Sequence, residues 1–127
     1  MNSFRGLLMI RKVAFVLAFL LACSWSMPAA EYGKSCPASR DGLLLGHVDV
    51  LDGAPRADGY NAYLEGVEHK SYTVWDVGNI YRQGRNVYLI CQYSSGEKTE
   101  SVTVQVKDPV KRCIVRNAPA GPTLVCQ

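Results

Sequence analysis

The sequence predicts an all-β fold, a small antiparallel sandwich or partly closed barrel held together by two disulfides. Three observations predict it: short runs of alternating apolar and polar residues, turn-forming residues between them, and four cysteines after residue 30. Beyond residue 30, no window of ten or more residues combines helical spacing of apolar positions with freedom from Gly and Pro. We therefore expect strands to dominate the structure.

The first 30 residues are predicted to be a secretory signal peptide and not part of the fold. Basic residues without any acid precede the short apolar core VAFVLAFLLA (13 to 22), and the small residues of SWSMPAA follow it. This apolar core is shorter than the roughly 20 residues that a membrane-spanning helix needs. We expect cleavage between residues 22 and 30 and a single β-domain over residues 31 to 127.

Cys23 gives the same segment a second interpretation. The stretch LLAC (20 to 23) resembles the lipobox of bacterial lipoproteins, in which the cysteine becomes lipidated and N-terminal. Release into the periplasm as a soluble protein and attachment to the outer membrane through Cys23 are both open. The layout of the segment favours release, and membrane contact is expected only if Cys23 is lipidated.

Removing the signal peptide changes the charge of the protein. The whole chain has 14 Lys and Arg against 11 Asp and Glu, and three of the cations but none of the acids lie in the first 30 residues. Residues 31 to 127 therefore carry eleven charges of each sign and a formal net charge of zero. Because no basic stripe is left to bind a phosphate backbone, nucleic acid is not an expected partner.

Three runs in the first half of the domain predict strands. Residues 43 to 51, LLLGHVDVL, form a largely apolar run that ends at the turn formers DGAP. Residues 61 to 64 and 72 to 77 are short aromatic-rich runs bounded by Gly or by charged residues. Trp75 in the second of these is expected to be a core residue on a central strand.

Two hairpins are predicted in the second half. Residues 87 to 106, VYLICQYSSGEKTESVTVQV, alternate on both sides of the turn SSGEK, so alternate residues from Val87 to Tyr93 should face the core. The three valines of VTVQV should do the same from the second strand. Residues 113 to 115 and 123 to 127 flank the turn formers APAGP and should form the second hairpin.

Four cysteines follow the signal peptide: Cys36, Cys91, Cys113 and Cys126. In an exported chain of this length they are most simply two disulfides. Cys91 should face the core, where it lacks the exposed, electropositive setting of a reactive thiol. Three pairings are possible and spacing does not choose among them. We prefer Cys113 with Cys126 across the APAGP turn, which leaves Cys36 for Cys91.

His47 and Asp49 lie two residues apart on one predicted strand and should point the same way. Together with His69 they are the one constellation that suggests a hydrolase or a metal-dependent protein. The sequence has no HxxxH or CxxC spacing, no serine-nucleophile motif and no phosphate-binding loop. Catalysis, a metal and a cofactor are therefore not expected, and an enzyme built on these three residues is the alternative hypothesis.

Tyrosine is the remaining signal, because residues 31 to 127 contain seven tyrosines and no phenylalanine. Tyrosine suits recognition surfaces and also β-sheet faces in general. In YRQGRN (81 to 86), Tyr81, Arg82 and Arg85 are candidate partner contacts. We expect a protein-binding module, inhibitor-like or immunity-like, with an envelope partner such as a cell-wall hydrolase or a toxin. A structural role in the envelope is a third possibility.

The stretches CPASRDGLLLGHVDVLDGAP, VWDV, NVYLICQY and VKRC resemble the motifs of a small family of uncharacterised exported proteins of Gram-negative bacteria. The resemblance covers most of residues 36 to 126 and implies a periplasmic, disulfide-bonded domain, but no activity. A looser likeness is to the small β-barrel lysozyme inhibitors of the bacterial envelope, which have a Tyr-x-Cys-type strand early in the chain. Here the corresponding strand comes late in the chain.

Overall fold

Two five-stranded β-sheets pack around a shared core in the computed structural model, which describes residues 31–127. The all-β prediction with two disulfides is confirmed. The predicted signal peptide, its cleavage between residues 22 and 30, and Cys23 lie outside the described residues. In chain order the elements are β1 (Glu31–Tyr32), β2 (Ser35–Cys36), β3 (Ser39–Arg40), β4 (Leu43–Asp52), β5 (Val67–Glu68), β6 (Tyr72–Asp76), α1 (Gly78–Arg82), β7 (Val87–Ser95), β8 (Lys98–Val106), β9 (Arg112–Arg116) and β10 (Thr123–Cys126).

The first sheet has the order β1-β8-β7-β4-β3 and the second sheet has the order β2-β10-β9-β6-β5. All neighbouring strands are antiparallel except β1, which runs parallel to β8. Both predicted hairpins are confirmed as the pairs β7–β8 and β9–β10. The second sheet is completed by β6, which pairs with β9 although α1, β7 and β8 lie between them in the chain.

The alternation predicted for residues 87 to 106 is confirmed. Every second residue of β7 from Val87 to Tyr93 is buried, and the intervening residues are half-buried. The two strands join through a two-residue turn at Gly96 and Glu97, and Gly96 has a φ of 59°. Such tight turns need a positive φ, which glycine adopts without steric cost.

A β-bulge at Gly46 decides which way His47 and Asp49 point. The register of β4 against β7 shifts between Leu45 and His47. Leu43 and Leu45 are buried before the shift, and Val50 is buried after it. The positions that face the core therefore move by one residue along the strand. Because a bulge inserts one unpaired residue, it turns His47 and Asp49 to the outer face of the first sheet.

Residues 31–40 form an N-terminal strap that contacts both sheets. Its three short strands pair with β8, β10 and β4 in turn. Arg40 donates two hydrogen bonds to the carboxylate of Glu31 at 2.6 and 2.9 Å, joining the opposite edges of the first sheet. Tyr93 donates from its hydroxyl to the carbonyl of Pro37 at 3.0 Å. The strap therefore connects the two edge strands of the first sheet and contacts its middle strand β7.

Both preferred disulfides are present. Cys36 of the strap is bonded to Cys91 in the middle of β7, with the Cα atoms 5.8 Å apart. Cys113 and Cys126 are register partners on β9 and β10, with the Cα atoms 4.0 Å apart. All four are buried, which supports a structural role for Cys91. Two disulfides are typical of a protein that folds outside the reducing cytoplasm. None of the described helices has the length and apolar character needed to cross a membrane.

Three details differ from the sequence predictions. Residues 61 to 64 form a single bridge, between Tyr63 and Leu51, instead of a strand. The five-residue helix α1 is too short to show helical periodicity in the sequence. Trp75 packs against the core but is only half-buried, because it lines a hollow of about 300 Å³ between β4 and the second sheet. Its indole N–H donates to the carbonyl of Leu64 at 3.2 Å.

Candidate functional site

The two histidines and Asp49 lie in different parts of the fold. His47 Nε2 is 2.9 Å from Asp49 Oδ1 on the outer face of the first sheet. His69 instead stacks on Tyr72 of the second sheet, with the ring centroids 4.5 Å apart. Among residues 31–127, no three His, Cys, Asp or Glu side chains come close enough to hold a metal ion. His47, Asp49 and His69 therefore do not form a metal-binding cluster in this part of the chain, and an enzyme built on them stays a prediction.

Tyr81 and Arg82 lie on α1, at the end of the sandwich where β7 begins. The Tyr81 ring packs against the core, and its hydroxyl donates to the carbonyl of Val106 at 2.8 Å. Burial raises the pKa of Tyr81. Arg82 is exposed and donates to Asn79 Oδ1 at 2.8 Å. Tyr81 thus has a structural role, and Arg82 presents its charge to solvent.

Arg85 forms an ion pair that fastens the connection after α1 to the end of β4. Its Nε and Nη2 donate to the two carboxylate oxygens of Asp52 at 2.7 and 2.8 Å. These hydrogen bonds lower the pKa of Asp52 and raise the pKa of Arg85. Because Asp52 offsets this charge, Arg82 is the more available of the two arginines. Partner contact through Tyr81, Arg82 and Arg85 stays a prediction.

Three tyrosines are strongly exposed: Tyr32, Tyr60 and Tyr63. Tyr32 lies on β1, and Lys107 stands over its ring at 5.6 Å. Tyr63 bridges to Leu51 on β4. In the sheet order, β8 and β7 lie between β1, which carries Tyr32, and β4, to which Tyr63 bridges.

The outer face of the second sheet carries an unbroken apolar row. Register pairs place four residues side by side across β5, β6, β9 and β10, here called the outer apolar row: Val67, Val74, Ile114 and Val125. Cys113 and Cys126 point into the core, so Ile114 and Val125 beside them must point outward. Val67 is 60% exposed and Val125 is 49% exposed. An apolar row at solvent-facing positions is typical of an interaction surface.

A groove of about 540 Å³ follows this face along β6 and β9. Val74 and Ile114 form its floor, and Ile114 is only 9% exposed although it lies opposite the core. Tyr72 and Arg116 are register partners at one end of the groove. Asp76 and Arg112 are register partners at the other end. The groove therefore combines an apolar floor with polar or charged side chains at both ends.

The end formed by Tyr72 and Arg116 is an ordered aromatic and basic cluster. The Arg116 guanidinium carbon lies 5.4 Å from the centroid of the Tyr72 ring, which also contacts the His69 ring. Within residues 31–127, neither Arg112 nor Arg116 forms a salt bridge. This arrangement can accept an apolar side chain on the floor and an acidic group at the end.

Sequence reasoning missed this groove, although part of its signal was present. In the stretch RCIVR, an inward Cys113 fixes Arg112, Ile114 and Arg116 on the outer face, because side chains alternate along a strand. What the stretch does not reveal is that β6 lies beside β9 and brings Tyr72 next to Arg116.

A scan against models of known protein families finds no match for this chain, and neither does a search of curated proteins or of solved structures. The resemblance to a family of exported Gram-negative proteins and the looser likeness to envelope lysozyme inhibitors stay predictions.

Proposed function

We propose that this protein is a non-catalytic binding module of the bacterial envelope that recognises another protein through the outer face of its second sheet. The observation that carries the proposal is the outer apolar row, with Val67 60% and Val125 49% exposed. The partner class is a cell-wall hydrolase or a toxin, which makes the module inhibitor-like or immunity-like. We propose the periplasm as its location, with attachment to the outer membrane through a lipidated Cys23 as the alternative.

In an antiparallel sheet with one face on the core, outward positions are usually polar because they meet water. Apolar side chains at these positions gain about 25 cal/mol for each Å² that a partner covers. Ile114 and Val74 on the groove floor would receive a protruding side chain, and Val67 and Val125 would widen the covered area.

The fold suits such a role because two disulfides hold it together. Cys36–Cys91 ties the strap to β7, and Cys113–Cys126 ties β9 to β10 directly under the groove. A surface that is already ordered loses less conformational freedom when it binds. The disulfide beneath Ile114 therefore helps to hold the groove in its binding conformation.

The proposal is tested by quantitative capture with the oxidised protein, using periplasmic extract and purified lysozymes as sources of partner. Val67→Asp places a charge on the groove, and Thr103→Asp places the same charge at an exposed position of the first sheet as a matched control. We expect a stoichiometric partner whose affinity falls about tenfold or more with Val67→Asp and hardly changes with Thr103→Asp. Equal effects of the two variants, or no partner from either source, would contradict the proposal.

A further inference from the structure

We infer that the partner places an acidic side chain at the Arg116 end of the groove, next to an apolar side chain on the Ile114 floor. This inference rests on the proposed function, because it specifies the chemistry of the partner that the same groove would bind. It is carried by a difference between the two ends of the groove.

The two ends differ in how their arginines are compensated. Arg112 is the register partner of Asp76, so a carboxylate lies across from it on the neighbouring strand. Arg116 is the register partner of Tyr72 on one side and of Thr123 on the other, and neither carries a charge. Asp76 therefore places a negative charge beside Arg112 without forming a salt bridge to it, whereas neither register partner of Arg116 is charged. A carboxylate of a partner gains more at the Arg116 end.

Arg116 is also held in place by its aromatic neighbour. Its guanidinium carbon lies 5.4 Å from the centroid of the Tyr72 ring, and the stacking of His69 on Tyr72 restrains that ring. A guanidinium that stacks on an aromatic ring keeps N–H groups in its own plane that can bind a carboxylate with two hydrogen bonds. Because Arg116 is already restrained, less rotamer freedom is lost when the carboxylate binds.

The spacing along β9 defines the motif that the partner presents. Ile114 and Arg116 are two residues apart on one strand face, a separation of roughly 7 Å. An extended partner segment has the same repeat between its own alternate side chains. The complementary motif is therefore an apolar residue and an Asp or Glu two positions apart on an extended chain.

The test is an NMR titration of the oxidised protein with short synthetic peptides. The protein used has the N-terminus that its host cell produces. The probe peptide has a central leucine with glutamate two positions away, and its control has glutamine in place of the glutamate. We expect the probe to shift the amide resonances of β6 and β9, and the control to bind about tenfold more weakly. Arg116→Gln should weaken the probe by a similar factor, whereas the matched variant Arg112→Gln should change its affinity less than threefold.

Several results would overturn the inference. They are equal binding of the two peptides, equal losses in Arg112→Gln and Arg116→Gln, shifts confined to other surfaces, or no binding of the probe. If the partner captured from extract is lost with Val67→Asp but not with Arg116→Gln, the groove binds a partner and only the acidic motif is wrong. If capture is insensitive to both variants, the proposed function itself fails.

Discussion

The outward side of β8 in the first sheet differs from the outward sides of β9 and β10 in the second sheet, although both sheets bury alternate residues in the same core. On β8 of the first sheet, the outward residues Thr99, Ser101 and Thr103 are exposed and polar, and the inward valines are buried. On β9 and β10 of the second sheet, Ile114 and Val125 face outward while Cys113 and Cys126 face the core.

This difference distinguishes the residues whose character is explained by folding from the residues whose character is not. The need for a buried core explains the inward residues of both sheets and the polar outward residues of β8. It does not explain why Val67, Val74 and Ile114 line up on the solvent side of the second sheet. A partner that covers this row would explain it, and so the second sheet is the better candidate for the binding surface.

The largest expected effect comes from breaking the disulfide that ties the strap to the first sheet. Cys36–Cys91 closes 55 residues of chain and Cys113–Cys126 closes 13. Chain entropy predicts losses of about 4 and about 3 kcal/mol in the free energy of unfolding for these two loops. We expect the Cys36→Ala, Cys91→Ala double variant to be less stable in urea unfolding than the matched Cys113→Ala, Cys126→Ala double variant.

The reverse order of stability would show that Cys113–Cys126, within the second sheet, stabilises the fold more than Cys36–Cys91, between the strap and the first sheet. The role assigned here to the strap would then be wrong.

A smaller effect should distinguish inward from outward valines. Val104→Thr on β8 buries a hydroxyl in the core and should cost about 1–3 kcal/mol, because the group loses its hydrogen bonds to water. Val125→Thr on the outer apolar row should change the free energy of unfolding by less than about 0.5 kcal/mol. Denaturant unfolding of the two variants compares them directly. A large loss in Val125→Thr would mean that the row stabilises the fold and needs no partner.

The smallest effect concerns acid pH and the carboxylates of the first sheet. The Arg40 hydrogen bonds lower the pKa of Glu31, and those of Arg85 lower the pKa of Asp52. Each folded pKa lies below its unfolded value, so each contribution to stability is complete above the unfolded pKa values of about 4 and is lost as the pH falls through the folded ones. Asp52→Asn should therefore flatten the acid part of the stability profile in urea melts from pH 7 to pH 2. An unchanged slope would contradict the role of this ion pair.

Much of the first sheet was predictable because its strands are neighbours in the chain. The alternation from Val87 to Tyr93 fixes the buried face of β7, and the turn at Gly96 fixes its pairing with β8. The preferred cysteine pairing followed from the second hairpin, which brings Cys113 opposite Cys126.

The groove was less predictable because it depends on a contact between distant strands. The outward direction of the Ile114 side chain can be predicted from the inward direction of Cys113. The position of Tyr72 beside Arg116, however, requires the pairing of β6 with β9. The bulge at Gly46 was also hidden, because LLLGHVDVL is apolar on both sides of the shift and does not show where the inward phase changes.

The most direct test of the binding surface is site-specific photo-crosslinking in living cells. A photoreactive amino acid replaces Val67 on the groove in one strain and Thr103 on the first sheet in a matched strain. We predict one discrete crosslinked product from position 67 that is absent from position 103. A product of equal yield from both positions, or from position 103 alone, would contradict recognition through the outer face of the second sheet.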